Sequence, residues 1–119
     1  MIAVIFEVIP HADHKQDYLD AAATLKPLLE KMDGFISVER FQSLTQADKI
    51  LSLSYWRDEA AVQSWRNLEE HRTVQAAGRQ TIFTDYRLRV AHVLRDYGMH
   101  ERAEAPADSR TAHEKNRTG

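Results

Sequence analysis

The segment Ile2 to Ile9 constrains this chain more than any other. It reads Ile-Ala-Val-Ile-Phe-Glu-Val-Ile, apolar and mostly β-branched or aromatic on both alternating faces, with Glu7 alone interrupting. A strand of that pattern is covered on two sides rather than one. A chain of 119 residues has room for one such core and not for two domains.

Pro10 ends the strand, and Asp13 with Gln16 three places on has the form of a capping box that opens a helix. Within that helix Tyr18, Ala22, Leu25, Leu29 and Met32 recur at helical spacing as one buried stripe. Pro27 predicts a kink or a change of phase, and Asp33-Gly34 is the stop signal. Phe35 to Leu44 and Lys49 to Arg57 then read as two strands joined by the turn Thr45-Gln46-Ala47-Asp48. Asp58 caps a short helix carrying Ala61, Val62 and Trp65. Asn67 with Glu70 resembles a second cap, so that helix is expected to break and restart, carrying His71 and Val74 and ending near Gly78. Ile82 to Tyr97 is expected to form a long last strand. Tyr86, Leu88, Val90, His92 and Leu94 share one face of it, with Arg87, Arg89 and Arg95 on the other.

The order is β-α-β-β-α-β, the split unit of an α+β, ferredoxin-like fold with a four-stranded antiparallel sheet. Two helices cover one face of such a sheet, yet its first and last strands carry apolar side chains on both. A bare apolar sheet face is costly, so a second copy packed face to face, a homodimer forming a dimeric α+β barrel, is expected. Residues 1–97 make up this domain. Residues 98–119 are small, polar and charged, with Met99 the only sizeable apolar side chain, and read as a tail that is disordered or laid over the partner subunit.

The absence of cysteine excludes disulfides, thiolate metal sites and cysteine nucleophiles. A net charge of −2 gives no reason to expect nucleic acid or an anionic membrane as partner. The apolar start lacks a basic n-region and meets Glu7 and Pro10 early, so neither a signal peptide nor a membrane span is read there and a cytoplasmic protein is expected. His11-x-Asp13-His14 superficially resembles a metal cluster, but it lies where a helix must start and lacks a further converging ligand; no metal site is expected.

Both tryptophans, a histidine and four arginines fall between Tyr55 and Arg79, in one strand-to-helix passage. Flat aromatics beside a titratable imidazole can hold and polarise a planar organic ligand, and they can equally fill a small core. Trp56 and Trp65 are therefore candidate pocket walls or core. His71 is a candidate general base or hydrogen-bond donor, against a surface histidine tied to its neighbours. Glu7 becomes a plausible base if burial raises its pKa; the alternative is an ion pair with an arginine such as Arg40 or Arg89. His92 reads as an at least half-buried core or interface histidine. Tyr86 and Tyr55 could offer phenolic hydrogen bonds, although packing accounts for them as well.

The pattern resembles the antibiotic biosynthesis monooxygenase family of dimeric α+β barrels, over roughly residues 1–97. The residues that carry the resemblance are Gly34-Phe35, Trp56-Arg57-Asp58-Glu59-Ala60-Ala61-Val62, Trp65-Arg66, His71, Gln75, Gly78-Arg79 and Phe83-Thr84-Asp85-Tyr86. What the resemblance implies is oxygenation without a cofactor in some members: a phenol or quinol is held between sheet and helices, deprotonated, and reacts with O2 directly. There a tryptophan matching Trp56 orients the substrate, assisted by an asparagine at the position of Ser52. Haem-degrading members place an iron-ligating histidine where this chain has Gln75, and an oxygen-assisting asparagine where it has Glu7.

The leading expectation is thus a cofactor-independent monooxygenase acting on a small aromatic substrate. His71 and Glu7 are its candidate catalytic groups, and Trp56, Trp65, Ser52, Tyr86 and Gln75 its candidate substrate contacts. Haem binding and degradation is the first alternative. A non-catalytic dimer that sequesters a small hydrophobic ligand is the second.

Overall fold

A computed structural model describes residues 1–68 and 82–109. Strand β1 (Ile2–Pro10) leads through a 3-10 turn (Ala12–His14) into helix α1 (Lys15–Glu30). Strands β2 (Phe35–Gln42) and β3 (Ile50–Trp56) follow, then helix α2 (Glu59–Arg66) and strand β4 (Phe83–His92). The sheet order is β2-β3-β1-β4 with every pairing antiparallel, which is the ferredoxin-like α+β arrangement read from the sequence. β1 lies inside the sheet, as a strand apolar on both faces requires.

Register assigns the faces. Val4, Phe6 and Val8 of β1 pair with Ser54, Ser52 and Ile50 of β3 and with Val90, Leu88 and Tyr86 of β4. Val38 and Arg40 of β2 join that face opposite Ser54 and Ser52. This is the face the helices cover. Leu29 of α1 and Ala61, Val62 and Trp65 of α2 pack with Trp56 against Ile2, Val4 and Val38, while Tyr18 packs with Val8 and Ile50. The far face carries Ile5, Glu7, Leu51, Leu53, Tyr55, Phe41 and Arg89.

Some local expectations change. Asp13 does not cap α1: the helix begins after the 3-10 turn, no side chain caps either start, and His14 Nδ1 instead lies 2.7 Å from Asp17 Oδ2. His11 Nδ1 lies 3.1 Å from Thr84 Oγ1, so the two histidines engage different partners. Pro27 stands within α1, which runs on to Glu30. β4 ends at His92 rather than Tyr97, because the strand it pairs with begins at Ile2 and leaves nothing to bond beyond the Val93 amide, which reaches Met1 O at 3.0 Å. His92 is exposed, not half buried, since β4 is an edge strand. α2 does end at Arg66, with Asn67 as its C-cap, and the expected restart of that helix falls outside the described residues. In the described part of the tail the Arg102 guanidinium sits 5.4 Å from the centre of the Tyr97 ring, and Ala105 is buried.

One corner sets where α2 meets the sheet. Gly34 has φ +87°, a left-handed turn that frees the chain to enter β2. A Cβ there would lie 2.7 Å from the Ala61 Cβ, so glycine also permits the close approach of α2. Arg57 Nη1 and Nη2 contact the two carboxylate oxygens of Asp33 at 3.1 and 3.2 Å, and Arg57 Nε contacts Asp58 Oδ2 at 3.1 Å. The Ala61 amide donates to Asp58 Oδ1 at 2.9 Å, the N-cap expected from the sequence. The paired guanidinium holds the Asp33 carboxyl below its ordinary pKa. The Asp58 carboxyl is lowered first by the Ala61 amide and then by Arg57.

Candidate functional site

Between the helices and the covered face lies a cavity of about 200 Å³. Phe6, Val4, Leu88 and Val90 floor it from the sheet, Leu25 and Leu29 close it from α1, and Val62 and Trp65 close it from α2. Trp56 is 1% exposed and Trp65 9%, and both line the cavity, so each is core and pocket wall together. Their ring centroids lie 6.4 Å apart with planes tilted by 35°, and Phe35 meets Trp56 edge-on at 5.4 Å. Trp56 Nε1 donates to Ser54 Oγ at 2.9 Å, which satisfies the indole and fixes its orientation. Pocket volume and core packing therefore depend on the same rings.

Polar groups enter this wall at few points: Ser52, Ser54 and Arg40 from the sheet, Tyr18 and Lys26 from α1, and Arg66 from α2. Tyr18 Oη and Arg40 Nε are buried and have no hydrogen-bond partner. Unpaired buried polar atoms are uncommon and each calls for an explanation.

Of the residues nominated from sequence, Trp56, Trp65 and Ser52 come together in the cavity wall. Tyr86 shares the covered face but does not line the cavity; it packs on Phe6 at 5.7 Å and Phe83 at 6.1 Å and is 43% exposed. Glu7 faces the opposite side of the sheet. Its oxygens contact Lys49 Nζ at 3.2 Å and Arg89 Nη1 at 3.5 Å. Those cations, Lys49 foremost, lower its pKa, so the rise that burial would have brought does not occur and the ion-pair alternative applies. Arg89 is the partner, while Arg40, the other arginine considered, faces the cavity. His71 and Gln75 lie outside the described residues.

Tyr18, Arg40, Phe6 and Phe83 were not nominated as site residues, yet all four line the cavity. Tyr18 reads from sequence as one member of an apolar stripe. Arg40 alternates in phase with Val38 on β2, which was the available signal that it shares the inward face.

The haem alternative depends on Gln75, at the position of the iron-ligating histidine, which lies outside the described residues. Glu7, at the position of the oxygen-assisting asparagine, points away from the cavity. Among the described residues no cluster of His, Asp or Glu is placed to hold a metal ion, and no helix is long and apolar enough to cross a membrane.

Comparison with known proteins places this geometry. A 1.40 Å crystal structure from Deinococcus radiodurans, described as an antibiotic biosynthesis monooxygenase, superposes with a TM-score of 0.74 at 14% identity, over 83% of this chain and 98% of that one. The Rv0793 structure from Mycobacterium tuberculosis gives 0.73 at 15% identity, over 82% and 98%. At such identities these likenesses concern the fold. By sequence, the chain is 44% identical over 93 residues to the jasmonate monooxygenase ABM of Pyricularia oryzae, covering 78% of this chain and 43% of that protein. It is 32% identical over 94 residues to YqjZ of Bacillus subtilis, covering 78% and 79%. The chain thus spans under half of the Pyricularia protein and most of the Bacillus one. The antibiotic biosynthesis monooxygenase profile matches residues 1–77, and with the fold and these relatives it establishes that this chain belongs to that family.

Proposed function

We propose that this chain is a monooxygenase that admits a small, largely apolar molecule to the cavity between the helices and the sheet, where it reacts with O2. The observation that carries the reading is the Trp56–Trp65 wall, two buried indoles tilted by 35° to each other that face a cavity inside a domain of this family. Flat apolar walls position a planar substrate, and exclusion of water protects a reactive carbanion or radical from side reactions. Ser52 adds a hydroxyl to the wall, and His71 is the base the sequence nominates.

With a phenol or hydroquinone the balance needs no external reductant. A phenol gives up its proton and, in all, four electrons to O2; one oxygen atom enters the ring, the other leaves as water, and a quinone results. The Pyricularia relative is named for jasmonate, a saturated-ring carboxylate, whose hydroxylation would draw two electrons from an external reductant. The test is oxygen uptake with a panel of phenols, hydroquinones and jasmonate, with and without ascorbate, followed by product mass under isotopically labelled O2. Uptake with one labelled oxygen per product is expected. Binding of panel members with no uptake under either condition would leave a ligand-sequestering module in place of an enzyme.

The same reading includes a homodimer formed through the far face of the sheet. Ile5, Leu51, Leu53 and Phe41 share that face, and Phe41 is 43% exposed. Sedimentation should give a dimer for the wild type and a monomer for Leu53→Glu.

A further inference from the structure

One row of the cavity wall is polar at its β2 end and apolar at its β4 end. Arg40 stands opposite Ser52 across β2 and β3, Ser52 opposite Phe6, and Phe6 opposite Leu88. One row across the sheet thus runs from a guanidinium through a hydroxyl to an aromatic ring and an aliphatic side chain. At the polar end Arg40 Nε is closed to solvent and unpartnered, and no carboxylate among the described residues forms an ion pair with Arg40. The Tyr18 hydroxyl, also in the wall, is closed off and unpartnered as well. Lys26 and Arg66 add two further cations to the lining, and the described lining residues include no Asp or Glu. A guanidinium cannot escape its charge by losing a proton, and the buried Nε edge of this one faces the cavity with no acceptor, so an anion there would pair with it. Its planar fork matches the two oxygens of a carboxylate through Nε and one Nη.

We propose that the cavity takes an amphipathic carboxylate, with Arg40 receiving the acid group and Phe6, Leu88 and Val90 holding the apolar body. The Tyr18 hydroxyl, the other unpartnered buried atom of the wall, offers the ligand a further hydrogen bond. The proposal deepens the oxygenase reading and rests on it only for calling the bound acid a substrate. It also gives the unpaired Arg40 and Tyr18 atoms a role, since the ligand supplies the partner the protein omits.

Trp56 and Trp65 line the cavity, so their fluorescence reports occupancy directly. The probes are jasmonate and phenylbutyrate, each compared with its methyl ester, which keeps the apolar body and removes the charge. The wild type should bind each acid more tightly than its ester, by roughly thirtyfold or more for a desolvated charge pair. Arg40→Met should abolish that preference while leaving ester binding nearly unchanged, and Arg40→Lys should keep part of it. Equal binding of acid and ester by the wild type, or binding of neither acid, overturns the proposal without any variant. A preference that survives Arg40→Met and disappears in Lys26→Met overturns it too, because the acid then sits at the helix. Acid-selective binding without oxygen uptake would defeat the oxygenase reading and leave Arg40 as the acid-binding group. Oxygen uptake with neutral phenols and no acid preference would do the reverse.

Discussion

Two arginines of this chain occupy opposite situations. Arg57 sits at an exposed corner, with three of its nitrogens against the carboxylates of Asp33 and Asp58. Arg40 sits in the wall of an apolar cavity, with its Nε enclosed and unpaired. The first is a joint: its partners hold the turn before β2 and the start of α2. The second makes no ion pair with a described carboxylate and faces the space a ligand would fill. Groups that serve the fold are satisfied within it, whereas groups that await a ligand are left open at some expense in stability.

The largest test of that contrast concerns the side chain that joins the two regions. Trp56 ends β3 just before the Arg57 corner and walls the cavity, so Trp56→Ala should cost about 3–5 kcal/mol and weaken ligand binding read by the remaining Trp65 fluorescence. Urea unfolding reads the first effect and titration the second. Next, Gly34→Ala meets both a left-handed φ and the Ala61 Cβ, and should cost about 3 kcal/mol by urea midpoint. A loss well under 1 kcal/mol would mean that α2 yields easily and the corner is no joint.

Tyr18→Phe acts at the other region and should move stability the opposite way. Removing an unpaired buried hydroxyl should raise stability by about 1 kcal/mol and weaken binding of the acid probes. A stability loss would show that the hydroxyl already has a partner.

The smallest effect compares the arginines themselves. Arg57→Met should lower the melting temperature near pH 7, whereas Arg40→Met should leave it unchanged or raise it. The sign with pH follows from the carboxylates. Folding depresses the pKa of Asp33 and Asp58, so their contribution is present above the unfolded value of about 4 and is lost as pH falls through the folded value. The melting difference between wild type and Arg57→Met should therefore shrink as pH falls below about 4. A difference constant with pH would assign the Arg57 effect to packing of its stem.

Legibility from sequence divides along similar lines. The Asp58 cap, the Gly34 turn and the β2–β3 hairpin depend on neighbours a few residues away, and each could be read from spacing. The Asp13 cap was a local signal that failed, since a 3-10 turn took up the residues before α1 and left His14 at its start. Glu7 and Phe6 are adjacent in β1 and must face opposite ways, but nothing in that strand says which way the helices lie. Phe6 took the cavity, and Glu7 took Lys49 and Arg89. The same uncertainty concealed Arg40, whose alternation with Val38 was visible while its enclosure was not.

The sequence by itself determined the order of elements, the hairpin turn, the Asp58 cap and the alternation of each strand, because these follow from contacts within one or two turns of chain. Only the tertiary structure decided which alternate face was covered, that Trp56 and Trp65 share one wall, and that Arg40 Nε and the Tyr18 hydroxyl are buried there without partners. Enclosure is made by segments far apart in the chain, and the cost of an unpaired buried group exists only once those segments have closed around it.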